Sequence, residues 1–180
     1  MRSFGPIALA ILALVACGPP VAVAAEPVFL RLKIQGADVK GDVALKGVEG
    51  LIECLSYEHE VTVPMAATGL ASGKRQYGPV KITKRIDQSS PQLLKALTQN
   101  AVVEGEFHFY RVNRTSGAVQ QFWVVEIKQA HVVSVKQVNP DRLVAATASQ
   151  PPMEEVAFAF GTIRWTYVEG GITYEDSWSR

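Results

Sequence analysis

Three histidines, His59, His108 and His131, are the residues best suited to acid–base or metal chemistry, because imidazole changes charge near neutral pH. Each stands alone. Zinc sites declare themselves through close ligand pairs such as C-x-x-C or H-x-x-x-H, and the chain has neither. The histidines therefore read as ordinary residues of three separate strands. Glu58 and Glu60 flank His59, but neighbouring side chains of an extended chain point to opposite faces, which argues against an acid–base pair. Glu154 and Glu155 read as the solvated start of a strand, not as paired carboxylates. The hydrolase elbow G-x-S-x-G, the phosphate loop G-x-x-x-x-G-K-[ST] and the dinucleotide turn G-x-G-x-x-G are all missing. No catalytic residue, metal ligand or cofactor site is assigned, and enzyme activity is not expected.

Lys74, Arg75, Lys81, Lys84 and Arg85 make the one basic cluster. Nucleic-acid binding would need stacking aromatics among them, and Tyr77 alone is too few, so no nucleic-acid partner is expected. Two readings remain. The cations can keep an exposed strand from pairing with other chains, or they can serve complementarity between subunits, with Lys81 or Arg85 meeting an acidic neighbour. Cys54 has no partner cysteine within the folded region and reads as a small buried hydrophobe.

The elements that must carry these residues are strands. With 180 residues, 48% hydrophobic and 19% charged, the chain suits one folded domain with a proper core. Its net charge of +1 gives no general attraction to polyanions or anionic membranes. Residues 29–35 alternate Leu30, Leu32 and Ile34 against Arg31, Lys33 and Gln35, a clean strand. Residues 36–50 form a loop with room for a short strand. Residues 51–63 read as a second strand, with Leu51, Leu55, Tyr57, His59, Val61 and Val63 on one face, ended by Pro64. Residues 65–79 lack periodicity and form a long loop.

Val80, Ile82, Lys84 and Ile86 then share one face of a strand, in which Lys84 interrupts the apolar pattern. A short helix follows. Ser90 can cap it with Pro91 in first place, or Ser89 with Gln92 can form a capping box. Leu93, Leu94 and Leu97 make its apolar stripe and Asn100 its stop. Residues 103–112 and 122–138 are strands separated by a turn at Gly117, and the second is long enough to require a bend. Val156, Phe158 and Phe160 continue into Ile163, Trp165 and Tyr167 after a change of parity at Gly161. Gly170-Gly171 leads to a last edge segment, residues 172–178. The fold class is mainly β: an antiparallel β-barrel of about seven to nine strands with one short flanking α-helix.

The N-terminal residues 1–25 have the build of an export signal: Arg2, then an apolar run too short to span a bilayer, then small residues. Two exits compete. Leu14-Val15-Ala16-Cys17 resembles a bacterial lipobox, in which Cys17 is lipidated; alternatively, cleavage falls near Ala24 or Ala25. A later start at Val21, Val23 or Val28 would remove the signal altogether. The folded domain is then residues 26–180. Its location is extracellular or periplasmic, with membrane attachment only through a lipid anchor, or cytoplasmic before secretion if the start lies later.

The order of these features carries a resemblance. His59–Pro64 (HEVTVP), the ATGLASGKRQYGP loop, the S-S-P-x-L-L cap and helix, Phe107–Arg111 (FHFYR), I-R-W-T-Y at Ile163–Tyr167 and D-S-W at Asp176–Trp178 resemble the haemolysin-coregulated protein (Hcp) family, the tube protein of type VI secretion systems. The resemblance implies a structural subunit that forms hexameric rings, stacked into a tube that can carry effectors, with spike and sheath proteins as further partners. It implies that Ala67, Gly69, Gly73, Lys74 and Arg75 lie in the loop that reaches towards a neighbouring ring. The export-like N-terminus departs from the family pattern and supports a second reading, an exported periplasmic or surface lipoprotein binding module on the same barrel.

Overall fold

Alternation in the sequence becomes strands close to where it occurs. A computed structural model describes residues 26–113 and 115–178, and these form twelve strands and one helix. In chain order they are β1 (Val28–Ile34), β2 (Ala37–Val39), β3 (Ile52–Cys54), β4 (Ser56–Glu58), β5 (Val61–Thr62), β6 (Gln76–Tyr77), β7 (Val80–Arg85), α1 (Ser90–Thr98), β8 (Val102–Val112), β9 (Val119–Val138), β10 (Met153–Ala159), β11 (Thr162–Tyr167) and β12 (Ile172–Ser177).

Ten strands make one antiparallel sheet with the path β2-β1-β8-β9-β10-β7-β4, while β11 and β12 extend from β9. Its two borders are joined by one segment. β3 pairs with β1 and β4 pairs with β7, and only Leu55 separates β3 from β4. The Leu55 amide donates to the Thr83 carbonyl at 2.7 Å, so the circuit returns to β1 through a kink in the chain. The result is a barrel-like sheet wrapped around Leu30, Leu32, Ile52, Ile82, Val103, Phe107, Ile127, Val156, Phe158 and Ile163. Each large side chain among these contributes roughly 1.5–3 kcal/mol by leaving water.

The kink corrects the expected second strand. Residues 51–63 split into β3, β4 and β5, and the buried residues of the first piece are Ile52 and Cys54, not Leu51 and Leu55. A break at Leu55 changes which parity faces inward, and Tyr57 then packs edge-on against Phe107 and Phe109. The expected loop over residues 65–79 is also more ordered than its sequence suggests. β5 and β6 pair as a separate two-stranded sheet, Met65 bridges to Ala71, and Gly69 closes the turn with φ +81.

The long strand bends as its length required. Gln129 in β9 has φ 49, and opposite it the Gly161 amide donates to the carbonyls of Lys128 and Gln129, both at 3.1 Å. A Cβ at Gly161 would lie 3.0 Å from the Gln129 Cβ, so glycine lets β10 and β11 turn this corner together.

Helix α1 packs on β9 through Leu93, Ala96 and, in part, Leu97, while Leu94 faces out. Neither expected cap forms. Ser89 occupies the cap position with helical backbone angles, φ -78 and ψ -21, and makes no side-chain cap bond, while the Ser90 hydroxyl accepts from Lys84 and the Asp87 amide and donates to Glu154 at 2.7 Å. Asn100 does end the helix, with φ 50 and the Ala101 amide bonded back to Ala96.

Candidate assembly interface

Residues 61–77 form an arm set apart from the barrel. Among the described residues, its backbone hydrogen bonds run within itself: Ala66 to Leu70, Ser72 to Pro64, and the β5–β6 ladder. No ladder among the described residues joins it to the main sheet. The arm exposes large apolar side chains, with Met65 70% and Leu70 71% accessible, flanked by the exposed Val61 and Val63. Among the described residues nothing covers them, as in surfaces that meet a partner.

The expected loop residues divide within this arm. Ala67, Gly69, Gly73 and Lys74 are exposed near its tip. Arg75 turns back to the barrel: its guanidinium donates to Asp176 on β12 and, at 3.0 Å, to the Tyr77 hydroxyl. The Tyr77 hydroxyl donates to the second oxygen of Asp176, and Tyr174 reaches the same oxygen at 3.3 Å. Tyr77 also packs against Phe160 and Trp178, with ring centroids 5.7 and 5.9 Å away. The hydrogen bond from Tyr77, together with the Ser177 amide and Arg75, holds the Asp176 carboxyl down at about 2. Burial, with the bonded Asp176 carboxylate, pushes the Tyr77 phenol up. The hydroxyl therefore stays protonated and donates.

Lys81 and Arg85 lie on the outward face of β7. Lys81 meets an acid of its own chain, Glu58, directly across the β4–β7 ladder at 3.2 Å. Arg85 borders a cleft with Asp42, Glu53 and Asp87. Cys17 lies outside the described residues. Cys54 is buried, and desolvation pushes its thiol up to about 12, so it stays a thiol and packs as a hydrophobe.

Two groups passed over at the sequence level prove central. Glu154, expected in solvent, is fully buried opposite Lys84, which is also fully buried. The Lys84 ammonium donates at 2.8 Å to Glu154, to Asp87 and to the Arg85 carbonyl, and Gln137 donates to the other Glu154 oxygen at 3.1 Å. Extending the Val156, Phe158 parity back by two residues reaches Glu154, so the signal existed. Asp176 lay in a quoted motif, but its partners are about a hundred positions away and no local pattern names them.

The histidines stay apart, and among the described residues no group of three or more acidic, histidine or cysteine side chains could hold a metal ion. His59 sits among Tyr77, Phe160 and Trp165, where burial lowers its basicity. His108 is likewise lowered by burial and touches Gln121 at 3.0 Å.

Comparison with known proteins places this architecture. The family model described as type VI secretion system effector, Hcp, matches residues 31–167. The major exported protein of Pseudomonas aeruginosa is 29% identical over 143 residues, covering 78% of this chain and 83% of its own. A variant of Hcp1 from the E. coli EAEC 042 pathovar superposes with a TM-score of 0.76 at 34% identity, over 86% of this chain and 99% of its own. The secreted protein Hcp3 of Pseudomonas aeruginosa shares the fold, with a TM-score of 0.71 at 23% identity over 86% and 99% of the two chains.

Proposed function

The chain belongs to the Hcp family of type VI secretion proteins, and from that premise we propose that it is a structural subunit whose copies close into hexameric rings and stack into a tube. The observation that carries this reading is the arm of residues 61–77: self-paired, unladdered to the barrel, and apolar where it is exposed. Such a surface is costly in a monomer and gains by burial against another copy. Ala67, Gly69, Gly73 and Lys74 at its tip meet the next ring, and Lys81 and Arg85 serve lateral contacts within a ring. The work is interfacial. Effectors ride in the lumen, and spike and sheath proteins are the further partners.

Export through such a machine makes the product extracellular, in keeping with the name of its Pseudomonas relative. The signal-like residues 1–25 favour a second reading, an exported barrel outside the machine, tethered through Cys17 if the lipobox is used. Mass spectrometry of the mature N-terminus separates the two. A signal-cleaved or acylated terminus supports the second reading, and if the lipobox is used Cys17→Ser should abolish acylation and release the protein from the membrane fraction.

The domain from Glu26 onward tests the main reading directly. Light scattering should give a hexamer-sized particle, and a strict monomer at high micromolar concentration would remove the tube reading.

A further inference from the structure

We infer that Asp176, on the last strand and outside the arm, is the positioning residue that fixes the pose in which the arm meets the neighbouring ring. The inference rests on the ring-stacking reading above and adds to it a residue that need touch no other subunit.

The Asp176 contacts hold the arm more than they hold the strand that carries them. Strand β12 is already held: it pairs with β11 from Thr162↔Ser177 to Tyr167↔Ile172, and the Trp178 amide donates to the Gly161 carbonyl at 3.0 Å. Among the described residues the arm has no such ladder to the barrel. Its polar links to the barrel converge on Asp176, where one carboxylate oxygen takes the Arg75 guanidinium and the other takes the Tyr77 hydroxyl. Arg75 also reaches the Ser177 carbonyl at 3.5 Å.

The carboxylate is 6% exposed, so its bonds act in a medium where water competes poorly. Two donors from arm residues two positions apart, on two oxygens of one planar group, restrict rotation as well as distance. Phe160 and Trp178, packed on the Tyr77 ring, close the remaining side. Removing the carboxylate therefore leaves β12 in its ladder and frees the arm to swing about residues 59 and 78.

Hydrogen exchange on unstacked rings of the domain from Glu26 onward, read beside electron microscopy of tubes, tests this. In Asp176→Ala, the Gly78 amide, bonded to the Glu60 carbonyl at 2.9 Å where the arm leaves the barrel, should exchange about tenfold faster, the scale of a lost charge-assisted hydrogen bond, while the amides of Ala66, Gly69 and Ser72, bonded within the arm, move with it unchanged. Amides of β8, β9, β11 and β12 should be unchanged, rings should keep their size, and tubes should be fewer and shorter. Tyr77→Phe, which removes one hydroxyl, should give a smaller shift of the same kind. It serves as the measurement if Asp176→Ala does not fold.

Unchanged Gly78 exchange in both variants overturns the positioning role while leaving ring stacking intact. Faster exchange at β12 instead of Gly78 also overturns it, because Asp176 then serves the strand. Faster Gly78 exchange with normal tubes shows that the clamp exists but that stacking does not use the arm, so the stacking reading falls and the inference with it.

Discussion

Lys84 and Arg75 are both cations held by a carboxylate from a distant strand, yet water reaches only one of them. The Lys84 side chain is 0% exposed and that of Arg75 32%. Around Lys84 the partners Glu154 and Ser90 are also buried, and the network joins β7, β10, β9 and the start of α1 through Glu154, Gln137, Asp87 and Ser90. Around Arg75 the network joins one module to another. Burial thus sorts two similar ion pairs into different work: the first is part of the barrel's core, and the second sets where an appendage points. An ion pair inside the sheet is costly to break, whereas one at a hinge alters geometry with little effect on stability.

The sharpest way to break that comparison is Lys84→Ala. It leaves Glu154 buried without its cation and should cost about 3–5 kcal/mol in a urea titration, the scale for an orphaned buried charge. Lys84→Met combined with Glu154→Leu should recover a large part of that loss, since a buried pair replaced by packed hydrophobes is often neutral. A small loss in Lys84→Ala would mean that water reaches the cluster after all.

A pH titration should show a smaller and more local effect. The Asp176 carboxyl lies at about 2 in the folded chain against an ordinary 3.8, so the folded state favours its ionised form. Its contribution is fully present above the ordinary value and is lost as pH falls through about 2. Fluorescence of Trp178, which lies on the Tyr77 ring, should report arm release in that window. Asp176→Asn should abolish the transition. Smaller still is Lys81→Ala, which removes an exposed pair with Glu58 and should cost under about 1 kcal/mol in melting experiments.

The smallest effect on stability should come from the arm itself. Replacing residues 67–73 with a short Gly-Ser turn should leave the melting temperature nearly unchanged, since loop length enters stability only weakly. Tubes should nevertheless be lost under electron microscopy. Unfolding of this variant would mean that the arm is part of the barrel's own packing.

What could be read beforehand follows the range of the interactions. Local alternation was enough for β1, β7, β8 and the bent β9, because strand parity is written in adjacent residues. Gly161 announced its corner, and Asn100 its helix stop. The Leu55 kink left no local trace, since it arises where one segment must pair with two borders of the sheet. Ser89 and Ser90 looked like caps because their type suits capping, but the Ser89 backbone is already helical and the Ser90 hydroxyl is taken up by Lys84, the Asp87 amide and Glu154. Arg75 was legible as a charged arm residue, but its partner Asp176 was not, because contacts across a hundred positions leave no spacing signature.

The most direct test of the account compares hydrogen exchange in one preparation as free rings and as stacked tubes. The amides of Ala66, Gly69 and Ser72 should slow on stacking, while those of β7 and β10 around Lys84 and Glu154 keep the same rates. Equal exchange of the arm in both states, with slowing elsewhere on the barrel, would contradict the claim that this arm joins ring to ring.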